Sequence, residues 1–346
     1  MSAFSSIPRF ARKMVKSKRF WGILVVLMFI YFNNSSLFIK PQADDPLLLA
    51  HRGLAQTFDT TNLTSETCTA KQMYTPEHPY LENTISSMQA AFEAGADIVE
   101  FDVQLTRDGK FAVFHDWKLD CRTNGSGTTR DYSLEELKAL DIGYGYTADG
   151  GKTYPFRGKG LGLMPSLDEV LTAFPDRSFL IHIKSNDPKE GRLLGNRLAT
   201  LPAERLDLLT VYGGDKPIAA LHDMLPGLRT MSRESLKSAL LSYMAVGWTG
   251  FVPDACKQTQ LHIPEKIAPY LWGWPNRFLK RMEQAGTRVV IVGGSGDFSR
   301  GFDTTEDIDR LPSGFAGIIW TNRIDRIAPL IKQRTPSSTP YTSINF

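Results

Sequence analysis

Nine short apolar runs, spread over residues 47–322, constrain the possible folds of this chain more than any other feature. Most are separated by amphipathic segments with helical spacing, such as 82–95 and 166–175. Strands that alternate with helices are typical of a parallel sheet, because each helix carries the chain back to the end where the next strand begins. The predicted strands are Leu47–Gly53, Asp97–Thr106, Phe111–Asp116, Ser178–Lys184, Leu208–Tyr212, Leu228–Ser232, Gly250–Pro253, Thr287–Gly293 and Gly317–Asn322.

One pair of predicted strands cannot be parallel neighbours. Only the residues "RDGK" separate Thr106 from Phe111, and an Asp-Gly turn of this length joins antiparallel strands. Without that return strand, eight strand–helix units remain over about 280 residues, the usual size of a (β/α)8 TIM barrel. We therefore predict an α/β fold of the TIM-barrel type. A doubly wound sheet is the alternative, although no glycine-rich phosphate loop follows the first strand.

The amino-terminal segment differs in charge from the rest of the chain. Residues 1–43 hold seven of the 40 basic residues and no acidic residue, which leaves 33 basic residues against 37 acidic ones in the remainder. This balance gives no reason to expect a nucleic-acid surface. The basic flank precedes an apolar run, 20–32, which extends through a polar patch to Ile39. Such a pattern is typical of a signal peptide or a signal anchor.

We predict that residues 20–39 form an uncleaved transmembrane anchor. Trp21, Tyr31 and Phe38 suit membrane interfaces, although the small residue that follows at position 43 leaves cleavage open. The positive flank would stay in the cytoplasm, so we expect a single-pass membrane protein with its barrel on the periplasmic or extracytoplasmic side. The predicted organisation is a cytoplasmic basic stretch plus anchor at 1–40, a linker at 41–46, a barrel at 47–332 and a tail at 333–346.

The predicted strands end in polar residues that suit an active site. Catalytic residues of TIM barrels lie at the carboxyl ends of the strands. The first strand ends in His51 and Arg52, and the second carries Glu100 and Asp102 two positions apart, on one face. Two carboxylates inside a barrel must be paired, protonated or bound to a metal, and a hard divalent cation satisfies both.

Further polar residues extend the same site. The return strand of the hairpin brings His115 to the barrel mouth, and the third barrel strand ends with His182 and Lys184 on one face. Glu82 opens the first helix close above the first strand. Two histidines can act as acid and base, while a cation with Arg52 and Lys184 can neutralise a phosphodiester. No serine or cysteine stands in a nucleophile-elbow context, which disfavours acyl transfer. The remaining histidines fall in predicted loops and receive no role: His78, His222 and His262.

Several motifs, in this order, resemble those of the glycerophosphodiester phosphodiesterase family: "AHRG", "ENT", "VEFDVQLTRDGKFAVFHD", the strand that ends in lysine, and "WTNRID". The resemblance implies a TIM barrel, a Ca²⁺ or Mg²⁺ ion and two catalytic histidines, which His51 and His115 match. It also implies that Glu100 and Asp102 are metal ligands and that Arg52 binds phosphate.

One position departs from the family pattern. The family usually has a glutamate, a third metal ligand, two residues before the lysine that Lys184 matches, whereas this chain has His182. Imidazole is a better ligand for Mn²⁺ or Zn²⁺ than for Ca²⁺ or Mg²⁺. The identity of the cation therefore stays open among these ions, with Glu82 as a further candidate ligand.

The resemblance implies hydrolysis of a glycerophosphodiester to glycerol 3-phosphate and an alcohol. The predicted anchor leaves a second function open, the phospholipase D-like cleavage of phospholipids or lysophospholipids at a bilayer. A third possibility is a non-catalytic barrel that binds a headgroup, but the two histidines and two carboxylates speak against it. The oligomeric state is not predicted.

The three cysteines lack the spacing of a metal site. Cys68 follows the first predicted strand and Cys121 follows the return strand of the hairpin, so both lie on the predicted catalytic face. We predict that these two cysteines form a disulfide, which an exported domain permits, and that Cys256 is the free thiol.

Overall fold

Eight parallel strands and one antiparallel strand form a single sheet in the computed structural model. The structure describes residues 17–35, 39, 45–61, 63–64, 67–296 and 300–334. The strands are β1 (Leu47–His51), β2 (Ile98–Leu105), β3 (Phe111–Val113), β4 (Ser178–Ile183), β5 (Leu209–Gly213), β6 (Arg229–Ser232), β7 (Gln260–Pro264), β8 (Arg288–Val292) and β9 (Ile318–Thr321).

The parallel strands follow one another around a nearly closed barrel. Their order is β6-β5-β4-β2-β1-β9-β8-β7, and β3 pairs with β2 in the antiparallel sense. A parallel bridge between Thr230 and Thr259 connects the two ends of this order, and the Thr259 hydroxyl donates to the Thr230 carbonyl at 2.5 Å. The predicted TIM-type barrel and the predicted hairpin are both confirmed.

Helices follow most strands and cover the barrel. They are α1 (Lys18–Asn34), α2 (Ile85–Ala94), α3 (Leu134–Lys138), α4 (Leu167–Ala173), α5 (Pro188–Leu198), α6 (Ala203–Asp207), α7 (Asp215–Met224), α8 (Arg233–Val246), α9 (Asn276–Gln284), α10 (Thr305–Asp309) and α11 (Ile324–Arg334). The predicted capping box at α4 is present, because Ser166 and Glu169 each accept a hydrogen bond from the other's backbone N–H. Gly95 ends α2 in the left-handed conformation, as the sequence predicts.

The sixth predicted barrel strand was misplaced. Residues Gly250–Pro253 form a loop, in which Gly250 has a φ of 92°, and the strand lies further on at Gln260–Pro264. The loop residues are apolar but end in a proline, which cannot donate to a ladder. In β7 only Leu261 and Ile263 are buried apolar residues, so alternation was the better indicator of a strand here.

Alternation along the strands separates the core from the barrel interior. The side chains of Val99, Phe101 and Val103 on β2 pack outward among the covering helices. Apolar residues from five strands fill the bottom of the barrel: Leu49, Ile98, Leu180, Val290 and Ile318. The next residues upward along β1, β2 and β4 on this inner face are polar, so the interior changes from an apolar floor to a polar mouth.

Helix α1 contacts the barrel at the face where the strands begin. The Asn33 and Asn34 side-chain amides donate to the carbonyl of Trp248, which lies between α8 and β7, at 3.1 and 2.9 Å. Arg281 of α9 donates to the Asn33 carbonyl at 2.8 Å. This face lies opposite the mouth.

The transmembrane span predicted at 20–39 is not supported. Among the residues that the structure describes, no helix has the length and apolar character needed to cross a membrane. Helix α1 comprises 17 residues. Residues 36–38 of the predicted span, residues 1–16, 41–44 of the predicted linker and 335–346 of the predicted tail lie outside the described residues.

A disulfide joins two long connections above the barrel mouth. Cys68 and Cys121 are bonded, with Cα atoms 5.6 Å apart, which confirms the predicted pair, and Cys256 is free and buried. The connections 54–81 and 117–164 share a small apolar core of their own, which includes Leu119, Leu137 and Met164. The disulfide therefore ties together an additional layer that covers one side of the mouth.

Replacing both bonded cysteines with serine is expected to lower the free energy of unfolding. The bond closes a loop with a sequence separation of 53. Loss of that restraint on the unfolded chain corresponds to about 4 kcal/mol at most. Urea unfolding of the double variant and of the reduced wild type should give the same lowered midpoint. A double variant as stable as the oxidised wild type would contradict this expectation.

Candidate active site

The end of β1 places two polar side chains at the mouth through a sharp turn. His51 pairs in register with Glu100 of β2, and the chain then turns at Arg52 (φ 60°) and Gly53 (φ 77°). A Cβ atom at Gly53 would lie 2.8 Å from the carbonyl carbon of Ser87, so only glycine fits this turn. The turn leaves the Arg52 guanidinium within the site.

Glu100 lies in the barrel interior, wholly buried. Its carboxylate accepts hydrogen bonds from the Tyr212 hydroxyl at 2.8 Å and from the Arg52 backbone N–H at 3.2 Å. Burial and the nearby negative charge of Asp102 raise the pKa of Glu100 above the usual value for a glutamate. Because burial disfavours the charged form of the Glu100 carboxylate, a bound cation that compensates this charge would stabilise that form.

Asp102 is the centre of the charged network. It accepts a hydrogen bond from the Asn83 amide at 3.0 Å, and its carboxylate lies 3.3 Å from Nε of Arg52 and 3.8 Å from Nζ of Lys184. Its Oδ1 atom is 2.8 Å from Nδ1 of His182. Burial opposes ionisation, but the positive charge of Arg52, followed by other nearby groups, outweighs it and holds the pKa of Asp102 well below its usual range.

Three of the predicted ligands form a possible cation site. Among the described residues, Glu100, Asp102 and His182 each offer a ligand atom, and these atoms lie within 4.8 Å of one another. Two carboxylates and an imidazole fit a divalent cation by donor type. Glu82 is not in this group. Its carboxylate instead accepts a hydrogen bond from Nη1 of Arg52 at 2.9 Å, so in this structure Glu82 orients Arg52, and a ligand role for it stays a prediction.

The two predicted catalytic histidines are held in matching ways. Nδ1 of His51 lies 2.6 Å from the amide oxygen of Asn322, and Nδ1 of His115 lies 2.7 Å from a carboxylate oxygen of Asp116. An oxygen acceptor at Nδ1 favours the tautomer that carries its proton there, which leaves the lone pair on Nε2. Burial, together with the charge of Arg52, lowers the pKa of both histidines. Each Nε2 atom can therefore take up and release a proton.

Several residues at the mouth were not predicted from the sequence. His262 of β7 faces the barrel interior, where its ring centroid lies 5.4 Å from those of Tyr212 and of Trp320. The ring of His182 stacks on Tyr212 at 4.2 Å. The alternation in "QLHIP" could have identified His262 as an inward residue. The aromatic wall that these side chains form has no local sequence motif, because it depends on the order of the strands.

Replacing His262 with glutamine is expected to make stability less dependent on pH. Burial, aided by the charge of His182, lowers the pKa of His262 from 6.5 to about 3. The unfolded chain then binds more protons than the folded chain between these values, so the free energy of unfolding decreases as pH falls below about 6.5. Urea midpoints measured from pH 7.5 to 5 should fall less steeply in His262→Gln than in wild type. His222→Gln, at an exposed position of α7, should keep the wild-type slope. If the urea midpoint changed with pH by the same slope in all three proteins, the lowered pKa of His262 in the folded chain would be excluded.

The chain is similar over part of its length to two bacterial proteins. It is 44% identical over 103 residues to a glycerophosphodiester phosphodiesterase of Caldanaerobacter subterraneus subsp. tengcongensis, which covers 30% of this chain and 39% of that protein. It is 40% identical over 122 residues to a glycerophosphodiester phosphodiesterase of Bacillus subtilis, covering 34% of this chain and 39% of the relative. These matches therefore span about two-fifths of each relative.

Solved structures share the fold over most of the chain. The glycerophosphoryl diester phosphodiesterase domain of an uncharacterized Mycobacterium tuberculosis protein has a TM-score of 0.59 at 18% identity, covering 83% of this chain and 99% of that domain. A phosphodiesterase from Oleispira antarctica, solved with the product sn-glycerol-3-phosphate, has a TM-score of 0.53 at 18% identity, covering 83% of this chain and 97% of that one. Residues 51–213, which contain every predicted catalytic, phosphate-binding and metal-binding residue, match the sequence profile of the glycerophosphoryl diester phosphodiesterase family. Over this region the chain belongs to the glycerophosphoryl diester phosphodiesterase family.

Proposed function

We propose that this protein is a metal-dependent phosphodiesterase that hydrolyses glycerophosphodiesters to glycerol 3-phosphate and an alcohol. One observation carries the proposal: two histidines whose Nδ1 atoms lie against oxygen acceptors, which leaves a lone pair on each Nε2, share a mouth with a buried carboxylate pair and the cations Arg52 and Lys184. The positive side chains suit a phosphodiester anion, and the histidines suit proton transfer on either side of it. The family and the relatives' names support the same substrate class.

Glu100, Asp102 and His182 would hold a divalent cation. When bound, such a cation supplies positive charge that stabilises the phosphate oxygens during displacement. Arg52 supplies a second source of charge, and its guanidinium is fixed on two sides by Glu82 and Asp102. Lys184 can approach the same phosphate as a more mobile point charge.

His51 is the better candidate for the base and His115 for the acid. The Nδ1 partner of His51 is a neutral amide, whereas that of His115 is a carboxylate, which stabilises a protonated ring. His51 would accept a proton from the glycerol hydroxyl or from water as that oxygen bonds to phosphorus. The phosphorus–oxygen bond to the alcohol would break as His115 gives its proton to the departing oxygen. Attack by the hydroxyl would yield a cyclic phosphate that water then opens, and attack by water would yield the products directly.

The position of α1 bears on the choice between soluble and lipid substrates. Membrane attachment through residues 20–39, with the barrel on the extracytoplasmic side, remains our proposal for localisation, and the disulfide is consistent with an oxidising compartment. Because α1 contacts the face opposite the mouth, a membrane held by this segment would leave the mouth open to water. This favours water-soluble glycerophosphodiesters over phospholipids or lysophospholipids within a bilayer.

The substrate class is tested by assaying the full chain, first treated with a chelator, against glycerophosphocholine and lysophosphatidylcholine. Ca²⁺, Mg²⁺, Mn²⁺ and Zn²⁺ are added one at a time. We expect release of glycerol 3-phosphate from glycerophosphocholine in the presence of at least one of these cations. Lysophosphatidylcholine should be cleaved more slowly than glycerophosphocholine. Faster cleavage of the lysolipid would favour the phospholipase D-like alternative. Binding of cation and diester without any cleavage would favour a headgroup-binding barrel.

Replacing His182 with glutamate is expected to change the preference for cations. The variant would exchange an imidazole nitrogen for an oxygen ligand, which Ca²⁺ and Mg²⁺ prefer. Calorimetric titration should show tighter Ca²⁺ binding and weaker Zn²⁺ binding than in wild type, each by about tenfold or more. The readout does not depend on activity. An unchanged order of affinities would show that His182 is not a ligand.

A further inference from the structure

Arg122 is a buried arginine in the connection after β3 and holds four side chains at once. Its Nε donates to Asp116 at 2.8 Å, Nη1 donates to the Tyr146 hydroxyl at 2.6 Å, and Nη2 donates to the Thr69 hydroxyl at 2.6 Å. Nη1 also lies 3.2 Å from a carboxylate oxygen of Glu82. Only 3% of Arg122 is exposed, so these contacts replace water almost completely.

The two carboxylates that Arg122 contacts each serve a different part of the proposed site. Asp116 binds Nδ1 of His115 through one oxygen and Arg122 through the other. Glu82 binds Arg52 through one oxygen and lies against Arg122 with the other. Arg122 thus bridges the partner of a histidine to the partner of the phosphate-binding arginine.

We propose that Arg122 is a positioning residue that sets the orientation of His115 and Arg52 relative to each other. The inference rests on the proposed phosphodiesterase function and adds a residue that touches neither the phosphate nor the cation. Asp116 follows the hairpin and Glu82 precedes α2, so nothing along the backbone couples them directly. Arg122 supplies that coupling with a planar group whose donors point in fixed directions.

The position of Arg122 is itself determined by both connections above the mouth. The preceding residue, Cys121, is bonded to Cys68, and Thr69 next to Cys68 accepts from Arg122. Tyr146 contributes a hydroxyl from the far part of the second connection. The disulfide therefore holds the Arg122 backbone beside one of its acceptors.

Lysine cannot replace Arg122 in this role. An ammonium group has three donors at one point, whereas the contacts of Arg122 come from three separate nitrogens. Removing the guanidinium leaves the Asp116 and Glu82 carboxylates buried with one partner fewer each. Both would then turn towards other donors and take His115 and Arg52 with them. A displacement of about 1 Å at a catalytic group can cost about 100-fold in rate.

The experiment compares Arg122→Lys and Arg122→Met with wild type in the full chain, using glycerophosphocholine. We expect kcat to fall by about 100-fold in Arg122→Met and to recover only in part in Arg122→Lys, with KM changed by less. Arg157→Met is the matched control, because Arg157 lies in the same connection but is exposed and stacks on Tyr144 and Tyr154. It should retain wild-type kcat.

A double-mutant cycle with Asp116→Asn separates positioning from general support of the fold. If Arg122 acts through Asp116, then Arg122→Met should cost much less in the Asp116→Asn protein than in wild type. The proposal would be overturned if the two substitutions lowered kcat independently, so that the double variant showed the product of the two single effects. A wild-type kcat in Arg122→Met would also overturn it. If Arg122→Met does not fold, the cycle is carried out with Arg122→Lys. An inactive wild type would refute the proposed function itself, and this is a different result from an active wild type that tolerates the Arg122 variants.

Discussion

Alanine at His51 or at His115 is expected to lower kcat on glycerophosphocholine by about a thousandfold or more, while the melting temperature changes little. Each histidine presents Nε2 for proton transfer because an oxygen acceptor occupies Nδ1. A single general acid or base contributes about 10²- to 10⁴-fold to a rate. Because the two would act on opposite sides of one phosphorus, the double variant should be little worse than the more damaged single variant.

Steady-state kinetics and thermal unfolding of the same preparations measure these effects. His222→Ala is the control, since His222 is exposed on α7 and far from the mouth in the fold. It should keep full activity. If either His51→Ala or His115→Ala kept more than about a tenth of the wild-type kcat, proton transfer by that histidine would be excluded.

Replacing Asp102 with asparagine is expected to abolish cation binding and activity together. Asp102 is buried, and its carboxylate lies 3.3 Å from Nε of Arg52, 3.8 Å from Nζ of Lys184 and 2.8 Å from Nδ1 of His182. The amide has nearly the same shape but removes the negative charge that balances those groups. Calorimetry should show cation affinity lower by at least about 100-fold, and kcat/KM should fall by at least as much.

Asp97→Asn is the matched control for this change. Asp97 immediately precedes the same strand, at the opposite end of the barrel, where its carboxylate accepts a hydrogen bond from the Leu48 backbone N–H at 2.8 Å. Its replacement should affect stability but not cation affinity. If Asp102→Asn bound the cation as tightly as Asp97→Asn does, the cation site would have to lie elsewhere.

Much of the barrel and of the site could be predicted because alternation along a strand is a local property. The spacing of Glu100 and Asp102 places both on the inner face of β2, and the Asp-Gly turn brings back the strand that carries His115. At Gly250–Pro253 the prediction relied instead on a continuous apolar run, and the structure has a loop there. The true strand, with its inward His262, lies at Gln260–Pro264, where apolar and polar residues alternate.

The groups that hold the histidines could not be predicted by any spacing. Asn322 reaches His51 only because β9 lies beside β1, and its amide is oriented by a hydrogen bond to Asp303 at 2.9 Å. Arg122 reaches its partners only because two long connections fold against each other and are joined by a disulfide. Such contacts depend on tertiary packing, which leaves no periodic signal in the sequence.

³¹P NMR of glycerophosphocholine mixed with the full chain tests most directly whether this mouth cleaves a glycerophosphodiester with the help of a bound cation. After chelation and addition of the cation that calorimetry identifies, we expect the diester signal to be replaced by that of glycerol 3-phosphate, and we expect no change without the cation. A diester signal that persists although the cation is bound, or the appearance of phosphocholine as the phosphorus-containing product, would contradict the account.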